Sequence, residues 1–281
     1  MTPGMSDTPT PPRKAPPSRS HGRKSVRLTL QPQDLMSETT LRPDVWTARI
    51  ITLFPQAFPG VLGESLTGKA LSERKWQLET TNLRDFGVGR HRNVDDTPAG
   101  GGAGMVLRPD VLGNAIDQTL RGARGNCPLV YLSPRGKRFD QAMARAWSRA
   151  DGITMLCGRF EGVDQRVLDH YDIQEVSLGD FVLTGGEIAA QAMIDATVRL
   201  LPSVLGNAES IEDESHSNGL LEHPQYTRPA EWRGRPIPQV LMSGHHGNVA
   251  QWRQEMAEQI TKERRPDMWA AYKAVKDAKS P

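Results

Sequence analysis

The sequence predicts an α/β fold with a mainly parallel sheet, and two observations carry that prediction. From Leu129 to Leu201, short apolar runs rich in β-branched residues alternate with helical-pattern segments. Strands joined through helices pair in parallel, because each connection must cross back over the sheet. In addition, three successive strands each run into a glycine-bearing turn: Tyr131-Leu-Ser-Pro-Arg-Gly136, Cys157-Gly-Arg-Phe-Glu-Gly162 and Ser177-Leu-Gly-Asp-Phe-Val-Leu-Thr-Gly-Gly-Glu187.

The elements follow in order. Ordered sequence begins near Trp46, and Ala48–Phe54 is a strong strand, apolar and β-branched. An interrupted helical region covers Pro59–Arg74, and Trp76–Leu83 alternates as a second strand. Arg84–Val106 is irregular. Pro109–Arg121 is helical, with proline at an acceptable first-turn position. Then come strand Leu129–Leu132, helix Phe139–Ala150, strand Ile153–Cys157, helix Val163–Tyr171, strand Ile173–Leu178 and helix Glu187–Leu201. After Leu205 the composition changes. Residues 206–218 carry Glu209, Glu212, Asp213 and Glu214 with little apolar content, as a mobile linker would, and the linker is expected to span 206–222. Residues 223–281 hold helix candidates Asn248–Arg264 and Pro266–Lys279, separated by Pro266. The expected division is an extension to residue 45, an α/β domain over 46–205, the linker, and a small helical domain.

Composition limits the partners. With 281 residues, 37% hydrophobic and 24% charged, the chain can bury a sizeable core. It has no apolar run of membrane-spanning length. A net charge of only +2 means that nucleic-acid contact must come from local basic clusters. Residues 1–28 hold six basic side chains against Asp7 alone, without the apolar segment of a signal peptide. This is expected to be a solvated, disordered extension. Cys127 and Cys157 lack metal-ligand spacing and are expected to be reduced thiols in a cytosolic protein.

Two nucleotide motifs fail. Gly63-Glu-Ser-Leu-Thr-Gly-Lys-Ala70 approaches a phosphate-binding P-loop, but Ala70 stands where a metal-binding hydroxyl is needed. Neither Gly87-Val-Gly89 nor Gly100–Gly104 completes a dinucleotide fingerprint. The three glycine-bearing turns instead predict one crevice outside the strands' carboxyl ends, the usual ligand position in open α/β sheets. Gly179, Gly185 and Gly186 allow close backbone approach there, Glu161 offers a carboxylate and Arg159 a phosphate contact. The long stretch from Gly87 to Gly104 places Arg90, His91 and Arg92 beside Asp95 and Asp96, which suits a phosphate backbone and a base edge. Asp195 and Arg199, four apart, read from spacing alone as a surface pair. His216 and His223 flank the acidic linker without metal spacing. Toward the C-terminus, Tyr226, Trp232, Trp252, Trp269 and Tyr272 interleave with arginines including Arg228, Arg233 and Arg235, a pattern suited to RNA. Trp252 and Trp269 are expected in the core.

Cys157–Asp164, Ser177–Glu187 and Gly219-Leu-Leu-Glu-His-Pro-Gln-Tyr-Thr-Arg-Pro229, with Val94-Asp-Asp96, Gly100–Gly102 and Tyr131–Pro134, resemble the bacterial tRNA (guanine-N1)-methyltransferases, in order, from about Ala48 to Trp269. The resemblance implies a SPOUT-class fold with a deep trefoil knot and an obligate homodimer with its active site at the interface. It implies S-adenosylmethionine against Tyr131, Leu132, Ser133, Pro134, Gly136, Gly158, Glu161, Leu178, Gly179, Asp180, Phe181, Val182 and Leu183. The implied substrate is the guanine directly 3′ of the tRNA anticodon. That ring nitrogen must lose a proton as it attacks the methyl group, so a carboxylate base is needed, and an arginine to steady the neighbouring oxygen. The resemblance maps these to Glu214 and Arg199. The family residue at the first of these is typically Asp, and Asp213 stands beside Glu214, so the base is one of the two. Asp164 would help hold the flipped-out guanine. A magnesium requirement is not defined by the sequence. The alternative is a non-catalytic RNA-binding protein that retains the fold.

Overall fold

In a computed structural model, residues 41–279 are described, apart from 43, 124, 206–214 and 217. The expected extension therefore lies mostly outside the described residues, as do most of the acidic linker and both candidate bases, Asp213 and Glu214.

Five parallel strands form the central sheet: β1 (Thr47–Thr52), β2 (Gln77–Asn82), β5 (Leu129–Arg138), β6 (Gly152–Cys157) and β7 (Gln174–Ser177), in the order β2-β1-β6-β5-β7. All residues of β1 and β6 are buried, as expected of strands covered on both faces. Their side chains alternate between two cores. Ile50, Val130, Leu132 and Met155 pack on one face with Trp76, Met143, Trp147, Met193 and Ile194. Ile51, Tyr131 and Leu156 pack on the other with Val111, Leu112, Ile116, Val167 and Leu168. The first face is covered by α1 (Ser65–Ser72), α3 (Gln141–Ser148) and α5 (Glu187–Val198), the second by α2 (Pro109–Arg121) and α4 (Gln165–His170).

Several boundaries differ from expectation for physical reasons. β5 continues to Arg138 instead of ending at Leu132. Leu132 and Lys137 both register with Val176, so Ser133–Gly136 leaves the ladder and the chain then rejoins it. Pro134 cannot donate to a ladder, which is why the sequence suggests a stop there. At Gly136 a Cβ would lie 2.3 Å from the Val176 nitrogen, so only glycine lets the returning strand pass β7. α5 ends at Val198, and Arg199 sits in the turn beyond it. The Asp195 carboxylate accepts a hydrogen bond from Thr67 Oγ1 at 2.9 Å. The P-loop-like stretch is largely helical, within α1, and Lys69 lies 3.7 Å from Glu73, so no phosphate cradle forms.

Two small hairpins were not legible in the sequence. β3 (Asp95–Asp96) pairs with β4 (Val106–Leu107) inside the stretch expected to be irregular. β8 (Glu231–Trp232) pairs with β9 (Arg235–Pro236). A short α6 (Gln239–Met242) precedes α7 (His246–Arg264) and α8 (Pro266–Lys279). Pro266 opens α8, as expected. Leu221 donates its amide to Thr261 Oγ1 at 2.8 Å, which ties the end of the expected linker to α7. Trp252 and Trp269 are half-buried: Trp252 meets the Tyr226 and His223 rings, and Trp269 stacks on Tyr272.

Candidate functional site

β6, β5 and β7 are neighbours, so their carboxyl ends bring the three glycine-bearing segments to one edge of the sheet. Between them lies a cavity of about 460 Å³. Tyr131, Leu132, Ser133 and Pro134 line it from the first segment; Gly158, Arg159 and Glu161 from the second; Leu178, Phe181, Val182, Leu183, Gly185 and Gly186 from the third. The segments are joined directly, since Gly186 N donates to Gly158 O at 3.2 Å. Gly158 keeps the floor open, because a Cβ there would lie 2.7 Å from the Tyr131 ring.

Three expected cofactor residues stand off the cavity wall. Gly136 is occupied by the close passage of β7. Gly179 shapes the third turn: its carbonyl accepts from Ser177 Oγ at 2.9 Å and from Phe181 N at 2.9 Å. Asp180 projects into solvent, with its carboxylate 4.0 Å from Arg138.

Burial raises the Tyr131 phenol and lifts the Cys157 thiol well above its ordinary value. Both remain protonated at neutral pH, so neither supplies a nucleophile. Both cysteines are free, with Cys157 buried and Cys127 half-buried.

Arg159 has a different role from the one its sequence suggests. Its Nη2 lies 2.7 Å from Glu187 Oε2, its Nη1 donates to Thr184 O at 3.1 Å, and its guanidinium lies 4.4 Å over the Phe54 ring. It is thus held within the chain at the cavity wall, partly exposed. Asp164 caps α4 by accepting from Arg166 N, and both its oxygens are taken by the Arg166 guanidinium at 2.9 and 2.7 Å. Those bonds hold its carboxyl below the usual carboxylate range.

The chain just after the long Gly87–Gly104 loop closes one side of this region. Glu161 N donates to Met105 O and Leu107 N to Gly162 O, each at 2.9 Å. Asp95 is half-buried in β3, whereas Asp96 is exposed and lies 3.5 Å from Arg108. Arg90, His91 and Arg92 are exposed, as is Arg228. Arg199 lies at the far end of α5 from the cavity, about 18 Å along a twelve-residue helix. No sequence signal marked Phe160, which lines the cavity in a left-handed conformation with φ 59°. Among the described residues, no cluster of side chains could hold a metal ion.

This chemistry fits a specific ligand class. Backbone amides and carbonyls from glycine-rich turns, together with Leu178, Val182 and Leu183, suit a flat heterocycle, and Glu161 suits a cationic group near it. The fold and cleft define an α/β protein that binds a nucleoside-like ligand at the carboxyl edge of a parallel sheet. The sequence profile of the family described as tRNA (Guanine-1)-methyltransferase TrmD matches residues 47–271. A tRNA (guanine-N(1)-)-methyltransferase of Ruegeria pomeroyi is 72% identical over 242 residues, covering 86% of this chain and all of that protein. Those of Ruegeria sp. (strain TM1040) and Rhodospirillum rubrum are 71% and 57% identical, over 86% and 82% of this chain and 99% and 95% of theirs. This chain belongs to the TrmD family of tRNA (guanine-1)-methyltransferases, and its parallel-sheet architecture is that of the SPOUT class.

Proposed function

We propose that this protein transfers the methyl group of S-adenosylmethionine to N1 of the guanine at tRNA position 37. The observation that carries this reading is the cavity where three glycine-bearing turns meet in a chain of this family. S-adenosylmethionine, which Tyr131–Pro134, Gly158, Leu178, Phe181, Val182 and Leu183 would hold with Glu161 beside it, supplies an electrophilic methyl group. Knotted threading of this sheet edge is part of the same reading.

The chain's own residues do the rest. Glu214, or Asp213 beside it, accepts the N1 proton as the nitrogen attacks. Arg199 steadies the charge that develops on the exocyclic oxygen. Arg199 lies far along α5 from the cavity of its own chain, which supports a site shared between two copies. Apolar side chains exposed around the cavity support the same homodimer. The exposed Arg90, His91 and Arg92, with Arg228, Arg233 and Arg235 in a helical domain over 223–281, offer phosphate contacts to tRNA. No described helix is long and apolar enough to cross a membrane, and a tRNA substrate fits a cytoplasmic enzyme.

The test is mass mapping of tRNA after incubation with labelled S-adenosylmethionine; label at N1 of the guanine 3′ of the anticodon is expected. Unmodified tRNA that still binds tightly would instead identify a non-catalytic RNA-binding protein. Replacing the base should lower turnover by on the order of 10²-fold with cofactor binding intact. Near-normal turnover in Glu214→Gln together with an inactive Asp213→Asn assigns the base to Asp213.

A further inference from the structure

We propose that Arg159 and Glu187 form a latch that positions the cofactor turns, and that neither contacts RNA. The proposal rests on the reading of the cavity as the S-adenosylmethionine site. Glu187 opens α5 and is only 4% exposed. Its Oε2 receives Arg159 Nη2 at 2.7 Å, and its Oε1 accepts from Thr52 Oγ1 at 2.7 Å. Thr52 is fully buried at the end of β1, and its hydroxyl also accepts from Phe54 N at 3.0 Å. Arg159 completes the circuit by donating to Thr184 O while covering the Phe54 ring. The latch therefore joins the ends of β1 and β6, the turn after β7 and the start of α5.

The placement has a physical logic. A carboxylate in the first turn of a helix is favoured by the exposed amides there, which suits Glu187 at the start of α5. A buried ion pair contributes little net stability compared with apolar side chains of equal volume, and its best-attested use is to specify one arrangement. Here the arrangement is that of Thr184, Gly185 and Gly186, which line the cavity beside Arg159 itself. Arg159 Nε has no hydrogen-bond partner among the described residues, so the guanidinium's hydrogen bonds are those to Glu187 and Thr184. Loss of Glu187's charge would free the arginine and let the turn relax, so these are positioning residues.

The test uses the full chain. S-adenosylmethionine affinity is measured by calorimetry, tRNA affinity by filter binding, and kcat and KM for both substrates, in Glu187→Gln, Arg159→Met, the double variant and Thr52→Val. Each of Glu187→Gln and Arg159→Met is expected to weaken S-adenosylmethionine binding about tenfold or more, as loss of one charge-assisted hydrogen bond does. KM for the cofactor should rise, with tRNA affinity unchanged. The double variant should bind no worse than the weaker single, because the two residues act as one unit. Thr52→Val, which removes one hydroxyl without a charge, should shift the same constant less, and it keeps the proposal testable if the charged variants do not fold. Unchanged cofactor affinity in all variants overturns the latch, and so does lost tRNA affinity with intact cofactor binding in Arg159→Met. Failure of the unmodified protein to bind S-adenosylmethionine would overturn the functional reading instead.

Discussion

A methyl group added at Gly136 would meet not only the Val176 nitrogen at 2.3 Å but the Glu175 carbonyl carbon at 2.4 Å, both backbone atoms that cannot swing aside. Gly136→Ala should therefore displace β7 and lower stability by about 1–3 kcal/mol, the usual cost of overpacking. Urea unfolding with an unchanged midpoint would refute this. The residue was legible in the sequence as a special glycine, but its reason was not: it appears in a turn motif, yet it serves the passage of one strand past another. Arg159 shows the same limit from the other direction. An arginine among glycines suggests phosphate, and only the fold brings Glu187, twenty-eight residues away, to within 2.7 Å of it. Residue type and spacing identified the cavity wall well, whereas the direction in which a long side chain points is set by partners distant in sequence.

At the level of elements, α2 was readable to the residue because its signals are local: Pro109 at the start, Asp110 in the first turn, and apolar Val111, Leu112, Ala115 and Ile116 on one face. β5 was not, because its second half is stabilised by β7 and not by its own residues, Ser-Pro-Arg-Gly-Lys-Arg. The β3–β4 hairpin was hidden for a similar reason, since Asp95-Asp96 has no strand propensity and is held by Val106-Leu107. α2 and α4 are clamped by the turn after α4, where the Tyr171 hydroxyl donates to Asp117 Oδ1 at 2.8 Å and lies 3.2 Å from Gly113 O. Burial, followed by the hydrogen bond to Asp117, pushes the phenol from 10.0 up to about 12. A raised folded value means that the native state holds the proton more tightly than the unfolded chain. The contribution is fully present below pH 10 and is lost as pH rises through about 12. Tyr171→Phe should cost about 1 kcal/mol near neutrality. The variant should also lose stability less steeply than the parent from pH 10 to 12, as read by thermal unfolding at each pH. Parallel pH profiles would refute the clamp.

For the whole molecule, the apolar surface and the position of Arg199 lead to the same expectation. Val182 is 82% exposed, Ile188 62% and Phe181 53%, all on the cavity turn or the first turn of α5. The face of α5 that presents Ile188 continues through Gln191, which donates to Ala57 O at 2.8 Å, and Asp195, bound to Thr67. Val61 and Leu66, 66% and 49% exposed, belong to the segments that those two residues grip. Apolar side chains exposed in such number on related segments are what a protein interface would use. A two-fold contact there would be self-complementary and would set each α5 against its counterpart, which offers a route for Arg199 of one copy to serve the cavity of the other. Val182→Glu combined with Ile188→Glu should convert a species of about twice 31.1 kDa into the monomer in sedimentation equilibrium. Burying two new carboxylates against apolar surface is strongly unfavourable, so dissociation should be nearly complete at micromolar concentration. The monomer should keep its fold by circular dichroism, because both side chains lie outside the two cores, and should lose methyl transfer. Mixing an inactive Arg199→Ala chain with an inactive Glu161→Ala chain provides the complementary test. If the site is shared, mixed dimers assemble one intact site, and activity returns to about a quarter of the parent's for random pairing of equal amounts, by the symmetry of a two-fold dimer. Absence of any recovery, with exchange verified, would place Arg199 and the cavity it serves in the same chain.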